Sequence, residues 1–372
     1  MSVRFPTARA RGGLAAAAAA ATAVSIIAAV PASAAGSGFL RPLDEIAAVA
    51  STVPGNGDIN PYGVAVVPTT VGRLHRGDVL VSNFNAATNS QGTGTTVVEI
   101  TPDGHRSVFA RVAPGQVPGG VGLTTALVAL RSGWVIVGNL PTSDGTSATA
   151  TAGSLLVIDP WGRLRKIWTG HGINGPWDAT AADFGSHADL FVTNVLNGTV
   201  AHSPATVFRG TVLRLSVVMD DGTPSLRSST VIGSGFGERT DPAALVVGPT
   251  GVALGPDGTL YVADTLRSRL AAIPNAMTRT TSAGDGATVR AGGPLNAPLG
   301  LITVPGGDLV SVNAGDGRAV EVSPTGELVT VRWLDTSGSP AGAGALFGLA
   351  VAPGGHAVYF VDDATNTLNL LH

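Results

Sequence analysis

One stretch constrains this chain more than any other: GPTGVALGPDGTLYVADTLRSRLAAIP, Gly248 to Pro274. Val252 to Leu254 is a short apolar run, and Gly255-Pro256-Asp257-Gly258 is a turn, because Pro presets φ near −65° and Gly accepts positive φ. Leu260 to Ala263 forms a second strand ending on Asp264, and Leu270 to Ile273 a third. A single three-stranded meander cannot bury its own face, so it must pack against copies of itself. The copies are present. Asn296-Ala297-Pro298-Leu299-Gly300 and Leu346-Phe347-Gly348 open two downstream, reaching Asn313 and Asp362 where Asp264 stood. Asn60-Pro61-Tyr62-Gly63, Gly120-Val121-Gly122 and Asn174-Gly175-Pro176-Trp177-Asp178 open three upstream, reaching Asn83, Asn139 and Asn194. Six copies spaced by roughly 50 to 70 residues, each with about four short strands, predict an all-β, six-bladed propeller.

The segment before the repeats divides in two. Residues 1–34 read as a secretory signal: Arg4, Arg9 and Arg11, then an apolar, Ala-rich run, then Pro31-Ala32-Ser33-Ala34 as a small-residue cleavage site. The propeller should occupy residues 35–372. The sixth copy ends at His372 with room for three strands, so Ile46 to Ala50 is expected to supply its fourth and remove the exposed edge. Without any Cys, an exported chain must draw its stability from the core rather than from disulfides. Three of the 22 basic residues and none of the 25 acidic ones precede Ala35, leaving a net charge of −6 on the remainder. That balance argues against a nucleic-acid partner and provides no polybasic membrane surface. A secreted monomer without membrane insertion is the expectation.

GVALGPDGTLYVADTLRSRLAAI resembles the NHL repeat, with Asp264 and Arg269 at the family's Asp and Arg spacing and Asn313 and Arg318 in the same places. Asp362 keeps the acid but is followed by Thr367 at the Arg position, and copies one to three keep only Asn. The resemblance implies a six-bladed propeller and leaves function open, since such folds host binders and enzymes alike. Asn174-Gly175 and Tyr261-Val262-Ala263-Asp264 are also similar to two motifs of the gluconolactonase and senescence-marker-protein propellers. On that resemblance Asn174 and Asp264 would ligate a divalent cation for lactone hydrolysis. The family's early Glu has no counterpart in Asn60-Pro61-Tyr62-Gly63, which would weaken the ion and its activation of water.

Read from the residues, Asn83, Asn139, Asn194, Asp264, Asn313 and Asp362 should ring one mouth of the central channel, together with Asn60, Asn174, Asp178 and Asn296. Such oxygen donors suit Ca²⁺ or a similar hard cation; equally, Asn and Asp at strand ends bond nearby backbone, and Asp264–Arg269 and Asn313–Arg318 read as hairpin braces. The seven histidines show no metal-ligand spacing, and no thiol or G-x-S-x-G nucleophile exists. The segments following the Asn/Asp position are long in copies one to three (84–94, 140–153, 195–210) and short in copies four to six. Long loops in a compact fold usually carry function. They are expected to wall a groove over blades one to three, with Asn83, Asn139, Asn194, Trp177, Asp178 and His171 meeting an extracellular glycan, peptide or protein. A binding scaffold of the cell exterior is therefore the first expectation, and a metal-dependent lactonase or esterase the alternative.

Overall fold

The computed structural model describes residues 38–372; the expected signal segment, 1–34, lies outside the described residues. Six antiparallel sheets form six blades, one for each sequence copy. Their innermost strands are Ile59–Val66, Leu123–Ala129, Pro176–Asp183, Pro249–Leu254, Pro298–Thr303 and Leu346–Val351, for blades one to six. Each packs against the innermost strand on either side, which closes the ring. The face where these strands begin is here the upper face. It also carries the connections from second to third strands, so the three long loops rise there.

The glycine of the repeat has a specific task in this ring. Built onto Gly251, a Cβ would sit 2.1 Å from the Leu299 carbonyl oxygen; on Gly300, 2.1 Å from that of Phe347; on Gly348, 2.2 Å from that of Tyr62. Neighbouring inner strands approach backbone to backbone, and only a residue without a side chain admits that approach. Blades two and three place Thr125 and Asp178 at this register, two residues after the partner of the bracing Asn.

Blade six closes as the sequence predicts. Ile46–Ser51 pairs antiparallel with Thr367–Leu371, and Glu45 and His372 exchange backbone hydrogen bonds at 3.1 and 2.9 Å. Leu40 and Leu43 continue this anchoring by packing against Leu346 and Phe360. Blade three departs from four strands. Its outer hairpin, Val207–Asp220 and Thr223–Asp241, runs for 14 and 19 residues, against 8 in that blade's inner strand. The surplus overshoots the upper face, and a short fifth strand, Leu245–Val247, pairs with Arg239 to Asp241 before the chain enters blade four. Between blades the core is Val, Leu and Ile from facing sheets, as in the cluster of Val135, Leu156 and Ile158 with Leu80 and Val97.

Candidate functional site

The expected ring of ligating carboxamides turns into the protein instead. Asn83, Asn139, Asn194, Asp264 and Asn313 are at most 1% exposed. Asn139 Oδ1 accepts from the Gly122 amide at 2.7 Å, and its Nδ2 donates to the Gly120 carbonyl at 3.2 Å. Asn194 Oδ1 accepts from the amides of Asn174 and Gly175, at 2.9 and 3.2 Å. Asn313 Oδ1 accepts from the Asn296 amide at 3.1 Å, while Asn83 Nδ2 donates to the Thr52 carbonyl at 3.0 Å. Each ties the end of a second strand to the segment leading into its blade. Buried carboxamides are usually satisfied in this way, although Asn83 Oδ1 and Asn194 Nδ2 have no partner among the described residues. The brace reading is the one these bonds express.

The two residues implied as metal ligands are engaged through one side-chain atom each, Asn174 Nδ2 and Asp264 Oδ2, while Asp264 Oδ1 has no hydrogen-bond partner among the described residues. Asp264 Oδ2 accepts from Arg269 Nε at 2.8 Å, with the Arg267 guanidinium 3.9 Å away. Asn174 Nδ2 donates to the Leu196 carbonyl at 2.7 Å and to Asn197 Oδ1 at 3.1 Å. The Asn197 amide donates in turn to Glu238 at 2.9 Å. Burial pushes the Glu238 carboxyl up to about 7. The expected Asn313–Arg318 brace gives way to another pairing: Asn313 Nδ2 donates to Asp316 at 2.9 Å, and the Arg318 guanidinium lies 4.3 Å over the Trp333 ring.

The upper mouth of the channel holds aromatic rings. One residue past the braced position, the inner strands carry Tyr62, Thr124, Trp177, Thr250, Leu299 and Phe347. Tyr62 stacks on Phe347 at 4.1 Å, on Phe84 at 4.5 Å and on Trp177 at 5.8 Å. Trp177, expected to face a ligand, is 3% exposed and part of this plug. Burial, chiefly, pushes the Tyr62 phenol well above its usual range.

The long loops follow the same apolar logic. Phe84, Leu140, Val195 and Leu196 stand at their starts, and all four are buried in the plug cluster. Gln91 Nε2 reaches across to the carbonyls of Pro242 and Ala243 at 3.1 and 3.2 Å, and Thr142 Oγ1 donates to the Gln91 carbonyl at 2.6 Å. The loops of blades one and two thus join blade three's return turn in a cap, rather than standing as walls of a groove over blades one to three.

The depression opens where the connections are short. A cavity of about 540 Å³ lies over blades four to six on the upper face, floored by Leu299 and Phe347 of the plug. Its polar rim comprises Asn60, Arg239, Asp241, Ser268 and Asp363. Arg239 and Asp241 lie 3.5 Å apart. Asp363 accepts no side-chain hydrogen bond among the described residues, and burial, reinforced by the charge of Asp362, pushes its carboxyl up to about 6. The rim therefore carries one negative charge without a partner. Asp362–Asp363 was the signal in the sequence, an acidic doublet where the other copies have one Asn or Asp.

Two predicted residues lie elsewhere. His171 is exposed, with φ of +53°, in a groove formed with Trp168 and Leu226 between the outer strands of blades two and three. Asp178 belongs to the lower part of the channel, a cavity of about 370 Å³ lined by the inner strands of the blades. Its two oxygens accept from the Ala179 amide at 2.8 Å and the Val252 amide at 3.1 Å, a clasp between blades three and four. Burial outweighs these bonds and pushes the carboxyl from 3.8 up to about 7. A raised acid pKa means that the folded state binds the proton more tightly. The associated stability is complete below 3.8 and is lost as pH rises through about 7. Denaturant unfolding across that window should show Asp178→Asn with a shallower fall in stability than the wild type; parallel profiles would rule the assignment out.

The sequence matches no protein-family model and no curated protein. Among solved structures, the fold is similar to a gluconolactonase from Xanthomonas campestris, with 15% identity over 88% of each chain and a TM-score of 0.53. It is similar to a luciferin-regenerating enzyme, with 11% identity over 88% of this chain and 94% of that one and a TM-score of 0.54. Virginiamycin B lyase from Staphylococcus aureus gives 17% identity over 88% and 85% and a TM-score of 0.51. The chain shares their six-bladed propeller fold. At these identities the likeness extends to the fold alone, and it does not single out the NHL repeat.

Proposed function

We propose that this chain is an exported binding protein whose site is the upper-face depression over blades four to six, and that it receives a peptide or protein segment presenting an ammonium group. The unpartnered Asp363 carboxylate carries this reading. It stands on the rim of a cavity of about 540 Å³, a volume within the usual range for ligand pockets. Arg239 is already paired with Asp241, so the remaining charge favours a cation, and a cationic ligand would bring Asp363 back to its ionised form. Ala243, Ala244, Ala297, Ala314 and Ala343 line the depression with small side chains, which leaves room for an extended ligand. Export rests on the amino-terminal segment of the sequence.

The test is calorimetric titration with a short peptide ending in Lys, alongside its acetyl-lysine counterpart, glucosamine and glucose. The Lys peptide should bind and the acetylated one should not. Because Asp363 is charged only above about 6, binding should weaken as pH falls through that value, and Asp363→Asn should abolish both the binding and its pH dependence. Glucosamine binding without peptide binding would move the ligand class to amino sugars. Equal binding of both peptides would sink the charge argument.

The cation-dependent lactonase is the second reading, supported by the fold shared with a gluconolactonase. Against it stand the plug in the upper mouth and the pairing of one Asp264 oxygen with Arg269; the other Asp264 oxygen has no hydrogen-bond partner among the described residues, and Asn174 is engaged through its nitrogen. Asn174→Ala and Asp264→Ala would both need to lose a lactone-hydrolysing, chelator-sensitive activity for this reading to prevail.

A further inference from the structure

The lower face of blade one holds a pair of acids that recurs once in the ring. Gly77-Asp78-Val79 precedes its second strand, Val79–Asn85, and Glu99 stands on its third, Thr96–Ile100, opposite Leu80. Blade five repeats the arrangement: Gly307-Asp308-Leu309 leads into Leu309–Asn313, and Glu321 lies opposite Val310. In blade three the equivalent third-strand position holds Arg214, opposite Phe191; its guanidinium donates to the Ala276 carbonyl at 2.9 Å, and Asp189 accepts from Ser216 Oγ at 2.6 Å. Blades one and five instead bring two like charges together, both buried in blade one and one of them, Glu321, buried in blade five, which requires compensation.

The two blades find it differently. In blade five the backbone amides of Phe39 and Leu40 both donate to Glu321, whose carboxylate is fully buried beneath the amino-terminal segment. Blade one has no such cover. Glu99 accepts one long bond, 3.3 Å, from the His75 amide. Asp78 is 6% exposed, and among the described residues the one side-chain hydrogen-bond neighbour of its carboxyl is Glu99, the other acid of the pair. What faces it is the His75 ring, with Nδ1 3.8 Å from Oδ2. Ligand atoms of His75, Asp78 and Glu99 all lie within 4.8 Å of one another, and they border a cavity of about 410 Å³ whose wall includes His105.

We infer that His75, Asp78 and Glu99 form a divalent-cation site on the lower face, of the nitrogen-and-carboxylate type that suits Zn²⁺. One imidazole with two carboxylates is a borderline donor set, favouring Zn²⁺ over Ca²⁺, which prefers six or more oxygens. Tetrahedral bonds of about 2.0–2.1 Å place ligand atoms roughly 3.3 Å apart, so His75 and Glu99 close in by up to about 1.5 Å. His75 can make that move because its side chain is 68% exposed on a connecting loop. This site lies on the face opposite the proposed peptide depression and shares no residue with it.

Calorimetric titration of the purified, metal-stripped chain with Zn²⁺, with Co²⁺ absorption as a second readout, tests the assignment. One equivalent is expected, since blade five's pair is already capped, together with a Co²⁺ band of low-symmetry, tetrahedral character. His75→Ala removes an exposed ligand and should leave the fold intact while weakening Zn²⁺ at least tenfold, with loss of the Co²⁺ band; even residues that only orient a ligand commonly cost about 10–100-fold. Asp78→Asn should do the same. Absence of saturable binding, or wild-type affinity in His75→Ala, overturns the site. Ca²⁺ displacing Zn²⁺ at equal concentration overturns the donor-set argument.

Discussion

Replacing Arg269 with Met should destabilise the protein by about 3–5 kcal/mol, the usual cost of removing one partner of a buried ion pair. Arg269 is 6% exposed and Asp264 fully buried. The guanidinium holds Asp264 Oδ2 through Nε at 2.8 Å, Thr288 Oγ1 at 2.8 Å and the Asp285 carbonyl at 2.8 Å, and so pins the outer strand of blade four to its second strand. Met fills the stem's volume but leaves a carboxylate in the interior with one oxygen already lacking a partner. The penalty therefore comes from the stranded charge more than from the lost attraction. The double variant Asp264→Leu/Arg269→Met should recover much of the loss, because it removes the charge as well. Arg318→Met in blade five, where the guanidinium is 36% exposed and stacks on Trp333, should cost about 1 kcal/mol or less. Urea unfolding with an unchanged m-value reads all three. A loss below about 1 kcal/mol for Arg269→Met would contradict the strength assigned to the pair.

That pair was visible in the sequence because Asp and Arg are local, five residues apart at the two sides of one bend. The blades were legible for a similar reason: turn, strand and terminal Asn or Asp recur within short windows. Ile46–Ser51 could be assigned to blade six by counting strands, although its partner Thr367–Leu371 lies at the other end of the chain. The site was harder to read. A carboxamide at a strand end looks the same whether it faces a channel or its own backbone; Asn139 and Asn194 took the backbone because apolar rings fill the mouth beside them. Length also misled. The loops of blades one to three are long because they carry Leu140, Val195 and Leu196 into a cap, and the opening lies beside them, over the short bends. Asp78 and Glu99 escaped because their juxtaposition depends on the pairing of second and third strands, with Leu80 opposite Glu99. Each miss concerns which face a polar side chain turns to, a choice made by packing between blades.

Trp177→Ala should be the most damaging change at the upper mouth, costing about 3–5 kcal/mol through lost burial and the cavity left behind. Trp177 flanks a stack centred on Tyr62, 5.8 Å from Tyr62 and 6.5 Å from Phe347, and its Nε1 donates to the Val246 carbonyl at 3.4 Å. Inner strands from blades one, three and six, together with the return strand Leu245–Val247, meet on this one ring system. Blades six and one already approach backbone to backbone at Gly348, and blades one and two at Gly63, which limits inward movement to fill a void. Trp177→Phe retains most of the apolar volume and gives up a long hydrogen bond, and should cost about 1–2 kcal/mol. The same pair of variants also reads function. Phe347 is both a plug residue and the floor of the depression, so Trp177→Ala should weaken binding of the Lys peptide, whereas Trp177→Phe should largely preserve it. Lys-peptide affinity unchanged in a folded Trp177→Ala variant would mean that the depression does not depend on the plug, and Asp363 would then have to act from a rim that supports itself.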